Sequence, residues 1–311
     1  MLPHAAPQSP PLVYVVTLTW NQCADTLHCL DSLARMSYPN YRLLLVDNAS
    51  TDGTVEAVRA RFPQVEIIVN AENLGFSGGF NAGLRHALVQ GAGWVLIINN
   101  DTYVAPDLLD ELIVHSDRPG VGMLGPKIYS AGEVNRIWSV GGRCSWWTYE
   151  MIGIGDGQMD VGQWDQPLER DYLVGCALLL KRSLLEEVGL FDADTFHPIY
   201  YEDSDLCLRA RKAGQRLLLV PSARMWHKGV GASGGFDSPR QRYLMGRHSV
   251  RFFRKHVRWP RWLIVIPYRL GSAVKTTLRL LFAGRLQSIT AYWRGLRDGV
   301  FGRIEPRQSA R

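Results

Sequence analysis

The chain has no run of roughly 18 or more uncharged apolar residues, the length a helix needs to cross a bilayer, so a spanning helix is not expected. Met1–Pro11 is Pro-rich and lacks the basic segment and apolar core of a secretory signal. A short disordered lead-in over residues 1–11 is expected instead. The five cysteines, Cys23, Cys29, Cys144, Cys176 and Cys207, form no CxxC pair and no metal-binding spacing. That pattern points to reduced thiols in a cytosolic protein rather than to a disulfide framework. No zinc-finger, helix-turn-helix or ribonucleoprotein signature is present, so nucleic acid is not an expected partner. Acidic residues are scarce in one region. Residues 240–311 hold 17 of the 35 Lys+Arg but only two of the 29 Asp+Glu, Asp298 and Glu305. Residues 1–239 are correspondingly acidic. A basic tail on an acidic body favours an anionic surface. The 46% hydrophobic content supports a sizeable core.

What is present is a rhythm of strand and helix. Leu12–Leu18, Arg42–Val46, Val65–Val69 and Trp94–Ile98 read as strands. Cys23–Met36, Thr54–Phe62 (capped by Asp52) and Gly79–Gln90 read as helices. Short connections at this spacing predict an α/β, doubly wound, mostly parallel sheet. Such sheets bind ligands beyond the carboxyl ends of their strands, where Thr19, Asp47, Asn73 and Asp101 fall. From Val121 to Gly162 the pattern loosens, with frequent Gly and Trp, and reads as an irregular insertion or a sugar-binding rim. Asp171–Leu180 then reads as a buried strand, Ser183–Val188 and Asp203–Gly214 as helices, and Arg216–Val220 as a strand.

Three acidic clusters carry the chemistry. Asp47-Asn48-Ala49-Ser50-Thr51-Asp52-Gly53 follows one strand. Its carboxylates can hydrogen-bond a base and a ribose, although the same residue types make ordinary turns. Asn99-Asn100-Asp101 follows another strand. A carboxylate there can hold Mg²⁺ or Mn²⁺, which take oxygen ligands and often bridge to phosphates; a helix cap before Pro106 is the other use. Glu202-Asp203-Ser204-Asp205 opens a helix, where an acid is stabilised by the dipole and can take a proton. Asp205 and Arg209 lie one helical turn apart and form an ordinary ion pair on this reading. Asn73–Gly83 is a Gly-rich joint whose N–H groups can approach phosphates. It is neither a GxGxxG fingerprint after the first strand nor a Walker loop. His227 precedes a loop containing Gly229, Gly231, Gly234 and Gly235.

Taken in order, these segments resemble the inverting family 2 glycosyltransferases with the GT-A fold. Among them they are most similar to the bacterial rhamnosyltransferase-type members that build cell-wall and surface polysaccharides. The resemblance covers roughly residues 12–235. It implies a GT-A domain over 12–239 with a basic, amphipathic helical extension over 240–311. It implies that Thr19, Asn21, Asp47 and Asp52 face the nucleoside, and that Asn73, Gly75, Asn81 and Asn100 shape the donor pocket. Asp101 would be the aspartate of the DxD-type metal motif, with Asn99 in the place of its first acid. His227 would be a further ligand for the metal or the diphosphate. Asp203 would be the catalytic base, with Glu202 beside it. The implied donor is a nucleotide-diphosphate sugar such as dTDP-rhamnose. The implied acceptor is a hydroxyl of a glycan or polyprenyl-linked glycan.

Two alternatives carry distinct signatures. A nucleotidyltransferase would place a Gly- and Lys-rich loop after the first strand, where this chain has Thr19-Trp20-Asn21-Gln22. A non-catalytic nucleotide-sugar-binding module would not need Glu202-Asp203 together with Asp101 and His227. In the tail, Trp262–Phe282 drawn as a helix puts Leu263, Ile266, Leu270, Val274 and Leu281 on one face, with Arg269, Lys275 and Arg279 away from its centre. Trp259, Trp262, Tyr268, Tyr292 and Trp293 are placed at headgroup depth. This is the pattern of an interfacial helix on an anionic membrane, here the inner face of the cell membrane. A helix packed on the catalytic domain, or at a homodimer contact, is the other use of the same pattern.

Overall fold

The computed structural model describes residues 10–229 and 236–304. Most of the lead-in and the glycines at 231, 234 and 235 lie outside the described residues. The chain begins β1 (Val13–Thr19), α1 (Cys23–Leu33), β2 (Tyr41–Asp47), α2 (Thr54–Arg61), β3 (Glu66–Val69), α3 (Gly75–Val89) and β4 (Trp94–Asn99). It continues through β5 (Thr102–Val104), α4 (Leu108–Ile113), β6 (Val121–Ser130), β7 (Ile137–Ser139), β8 (Gly142–Cys144), β9 (Met151–Gly153) and β10 (Leu168–Arg170). Then come β11 (Ala177–Lys181), α5 (Arg182–Val188), α6 (Glu202–Lys212), β12 (Arg216–His227), α7 (Pro239–His256), α8 (Trp262–Phe282) and α9 (Leu286–Phe301).

One sheet runs in the order β10-β12-β6-β11-β4-β1-β2-β3, with β5 added to β12 and β7 to β6. β1 pairs in parallel with β2 and β4, and β2 with β3. β11 is antiparallel to β4 and β6, so the sheet is mixed but mostly parallel. The strands at its centre are apolar throughout because both faces are covered. Val13, Val15, Leu43, Leu45, Leu96 and Ile98 point to one core with α1 and α4. Tyr14, Val16, Leu44, Val46, Val95 and Ile97 point to the other, with α3, α5 and α6. This period of two fixes the register, since a one-residue slip would exchange the two cores.

Three expectations are corrected. The segment Asp171–Leu180 is not one strand: regular pairing starts only at Ala177, and residues 171–176 turn toward the start of α6. The loose region begins with a regular strand, β6, buried over nine of its ten residues. β12 also runs past Pro221, where the expected strand stopped. The proline sits in an irregularity where pairing with β6 jumps from Val220 to Arg224, a position that tolerates a missing N–H. That continuation carries β12 to His227. The chain's remaining helices form a C-terminal group. Gly246, Gly295 and Gly299 lie where α7 and α9 cross, in close contact with the facing backbone.

Candidate active site

β1 to β3 run to one side of the sheet and β4 lies on the other side of β1. This is the switch point at which open α/β sheets form a crevice. The register sets Thr19 opposite Asp47 and Leu18 opposite Asn99, so three strand ends finish level. A cavity of about 160 Å³ opens there. Thr19, Trp20, Asn48, Asn73, Gly75, Asn99, Asn100 and Asp101 line it, with Pro198 and Ile199 opposite and Arg240 and Leu244 reaching in from α7. Arg240 has no ion-pair or hydrogen-bond partner among the described residues.

The wall is built from polar turns. Asn73 Oδ1 accepts from Gly75 N at 2.8 Å, and Asn48 Nδ2 donates to Gly75 O at 3.0 Å. Gly75 has φ of 70°, and a Cβ there would stand 2.7 Å from the Pro198 carbonyl oxygen. Glycine is required by both the conformation and the close approach. Asn100 Nδ2 donates to Thr19 Oγ1, Gln22 Oε1 and Thr26 Oγ1, locking the β4 end onto the first turn of the fold. Asp47 is fully buried. Its Oδ2 accepts from Ser50 N at 2.9 Å and its Oδ1 has no hydrogen-bond partner.

Four expected donor-binding residues stand outside the cavity's lining. Asp47 lies behind it. Asn21 Oδ1 accepts from Thr51 N, and Asp52 accepts from Cys23 N, Thr54 N and Thr54 Oγ1, the last bond holding its carboxyl below the usual value. These two residues clasp neighbouring turns together. Asp52 also supports the start of α2, although Gly53 occupies the cap position itself. Asn81 uses both ends of its amide on the Phe191 backbone, at 2.8 and 3.0 Å. It is a tether between α3 and the segment after α5, which corrects its expected place in the pocket wall.

The β5–β12 ladder pairs Thr102 with His227. The adjacent Asp101 side chain therefore meets the His227 ring, with Oδ1 3.2 Å from Nε2. Both residues are buried, and neither ring nitrogen has a hydrogen-bond partner. The ring packs edge-on against Trp138, with centroids 4.5 Å apart. An imidazole with no hydrogen bond, set against a buried carboxylate, is a fitting donor pair for a divalent cation. Among the described residues no group of three or more His, Cys, Asp or Glu forms a cation cage. Mg²⁺ and Mn²⁺ sites commonly complete their shells with water and substrate phosphate, so two protein ligands suffice. Asn99 lines the cavity, but its recorded contacts are through its backbone, to Cys176 O and from Thr102 Oγ1.

Asp203 lies in the first turn of α6. Its Oδ2 accepts from Tyr172 Oη at 2.8 Å and Gly175 N at 3.0 Å, and its Oδ1 from Ser204 N at 2.6 Å. A Cβ at residue 175 would stand 3.0 Å from Asp203 Cβ. The Cys176 thiol is raised well above its ordinary value by burial, then by Asp101 and Asp203. Burial and the Asp203 carboxylate also raise the Tyr172 phenol, which keeps it a donor. Glu202 is buried, with Oε2 unpartnered. Burial, then Asp203, pushes its carboxyl well above the usual range.

The strand ends of β1, β2 and β4 thus finish level around a polar cavity lined by Asp101, the partner of His227. The sequence matches the description "Glycosyl transferase family 2" over residues 14–189, more than half the chain. The chain belongs to glycosyl transferase family 2. It is an enzyme of the glycosyltransferase class with a GT-A fold. One curated relative of this family 2 chain is an N-acetylglucosaminyl-diphospho-decaprenol L-rhamnosyltransferase of Mycobacterium tuberculosis. It is 29% identical over 280 residues, covering 79% of this chain and 87% of that protein. The dTDP-rhamnosyl transferase RfbF of Shigella flexneri is 23% identical over 251 residues, covering 78% and 80%. Among solved structures, mannosyltransferase PcManGT from Pyrobaculum calidifontis, in complex with GDP-Man and Mn²⁺, matches with TM-score 0.59 at 20% identity, covering 95% and 88%. GalNAc-T7 with UDP, GalNAc and Mn²⁺ matches with TM-score 0.60 at 14% identity, covering 79% of this chain and 50% of that one. These structural likenesses speak to the fold.

Tyr172, Asn48, Arg240 and Leu244 were not singled out from the sequence. Tyr172 lay in the presumed strand, and Arg240 and Leu244 in the presumed extension. Asn48 sits inside the polar turn after β2, so that turn was its only signal.

Proposed function

We propose that this glycosyltransferase moves a sugar from a nucleotide-diphosphate donor, dTDP-rhamnose in the first instance, to a hydroxyl of a lipid-linked glycan, inverting the anomeric carbon. The observation that carries this reading is the Asp101–His227 pair, with Asp101 in the lining of the cavity where the strand ends meet. The names of the two bacterial relatives support the choice of sugar and acceptor. The nucleoside sits against Thr19 and the Asn48–Asn73 turn, near the unpartnered oxygen of Asp47. The diphosphate faces Asp101, His227 and Arg240. Asp101 and His227 would hold a divalent cation, which would supply positive charge for the leaving diphosphate. The acceptor hydroxyl attacks from the opposite face, and Asp203 takes its proton. Tyr172, Gly175 N and Ser204 N hold the Asp203 carboxylate in place while it does so.

The test has two arms. Thermal shift against dTDP-, UDP- and GDP-sugars with Mn²⁺ identifies the donor, since a bound ligand raises stability by mass action. Asp203→Asn should then lower turnover by roughly 10²–10⁴ with donor affinity little changed. Near-wild-type turnover would rule out Asp203 as the base.

The proposed place of action is an anionic membrane surface at the inner face of the cell, where a polyprenyl-linked acceptor lies. Among the described residues no helix is long and apolar enough to cross a membrane. α8 instead turns Leu263, Ile266, Leu270, Val274 and Leu281 outward, each between 49% and 65% exposed. Arg258, Arg261, Lys275 and Arg285 are exposed around that apolar face, giving it the charge an anionic leaflet would attract. Two details of the sequence reading change. Arg269 and Arg279 are occupied by Glu150 and Asp237, and Tyr292 is buried against α7.

A further inference from the structure

Tyr200 and Tyr201 lead directly into Glu202 and Asp203, and both have left-handed backbone, with φ of 85° and 75°. Bulky L residues avoid that region and persist in it only when the surroundings fix them there. Helix α7 supplies much of that fixing. His248 is fully buried, with Nδ1 3.0 Å from the Ile199 carbonyl oxygen and 3.2 Å from that of Tyr200. Carbonyls only accept, so Nδ1 carries the proton. Nε2 lies 3.1 Å from Arg247 Nη2, which only donates, so Nε2 accepts. The ring is therefore the neutral Nδ1–H tautomer. Burial, then Arg247, keeps its pKa at about 3. Arg247 also donates to His197 O at 2.6 Å, and Phe76 N donates to Pro198 O at 2.7 Å. All four carbonyls from His197 to Tyr200 are thus held. The Tyr201 ring packs against Phe252 of α7, with centroids 5.4 Å apart.

We infer that His248 is a positioning residue for the transfer reaction. By holding the Ile199 and Tyr200 carbonyls it fixes the turn that aims Asp203 at the acceptor hydroxyl. This inference rests on the reading of Asp203 as the base, and the experiment separates the two.

His248→Leu removes both hydrogen-bonding functions at similar volume. Measured well below its melting temperature, it should lose about 10- to 100-fold in kcat, the scale of a misplaced catalytic group, with a much smaller change in dTDP affinity. In an Asp203→Asn background the same substitution should cost little more, because its effect passes through Asp203. His248→Asn keeps a donor at the Nδ1 position and should recover most of kcat. An equal loss from His248→Leu with and without Asp203, or no loss at all, would overturn the positioning role. If the leucine variant does not fold, the asparagine variant decides: a folded His248→Asn protein that has lost 100-fold in kcat contradicts the inference. A fast Asp203→Asn enzyme would instead overturn the base assignment on which the inference rests.

Discussion

Asp203 accepts hydrogen bonds from Tyr172, Gly175 and Ser204, whereas the adjacent Glu202 is buried with Oε2 unpartnered. Neighbours in sequence thus have opposite environments: one carboxylate is fully hydrogen-bonded and the other is buried with an oxygen left over. The raised pKa of Glu202 makes its contribution to stability depend on pH. Its folded value lies above its unfolded value, so the folded state binds the proton more tightly. That advantage is complete below the ordinary glutamate range and fades as pH rises through the raised value. Glu202→Gln keeps the shape and carries no charge at any pH. Its melting temperature relative to wild type should therefore climb as pH is taken from 5 to 9; a constant difference would contradict this account. The sequence singled out Asp101, His227 and Asp203 through residue type and order alone. It did not reveal Tyr172, because nothing local says that its hydroxyl meets a carboxylate 31 residues later. Nor could it show that Asn81 ties down the Phe191 backbone, since an asparagine facing a ligand and one facing a backbone look alike in one dimension.

At the scale of elements, the strands and helices of residues 12–99 were legible because the strands are short apolar runs and the helices repeat near 3.6, with polar turns between them, whereas β5 and α4 were not read. Pro221 concealed residues 221–227 of β12, since a proline ordinarily ends a central strand. The irregularity that accommodates it is a tertiary feature. The junction of α6 and α7 was equally hidden. Asp205 is fully buried and takes hydrogen bonds or ion pairs from His256, Arg209 and Lys255. The sequence reading had foreseen only the Arg209 pair. His256 Nε2 donates to Asp205 while Nδ1 accepts from Lys212, and burial lowers its pKa, so the imidazole acts in its neutral form. These partners hold Asp205 at about 2 despite burial. Its stabilisation is present above the ordinary aspartate value of about 3.8 and is lost as pH falls toward 2. Asp205→Asn should destabilise the fold by about 3–5 kcal/mol in urea melts at pH 7, and by much less at pH 2.5. Equal losses at both pH values would contradict this. α8 gives a second prediction at this scale. Full-length protein should sediment with anionic vesicles at low salt and release as salt rises, with each engaged Lys or Arg contributing about 1 kcal/mol. The double variant Leu263→Glu/Leu270→Glu should remain in the supernatant. Equal partitioning of the two proteins would remove the membrane role.

For the whole molecule, the division at residues 239 and 240 follows composition, not work. The basic tail begins with a helix that places Arg240 and Leu244 in the donor cavity and packs its core side chains, Phe252 and Phe253, with Tyr149, Phe196 and Leu208 of the body. A truncation there would open the active site, so the extension's roles are separable only by point substitution. The two functions proposed for it lie on different surfaces. α7 faces inward to the transfer site, and α8 presents its apolar face outward. A bound nucleotide sugar and a lipid-linked acceptor can then meet at one edge of the protein. Charge composition exposed the tail's asymmetry, but not this inward half, because an arginine in a cavity counts the same as one in solvent. The central claim is inverting transfer from a nucleotide-activated sugar at this cavity. Time-resolved proton NMR of the full-length enzyme with dTDP-rhamnose, Mn²⁺ and a polyprenyl-diphospho-N-acetylglucosamine acceptor tests it most directly. The account predicts release of dTDP in step with a new glycoside of inverted anomeric configuration, and loss of that signal in Asp203→Asn. A product of retained configuration, or the same rate in the Asp203→Asn enzyme, would contradict it.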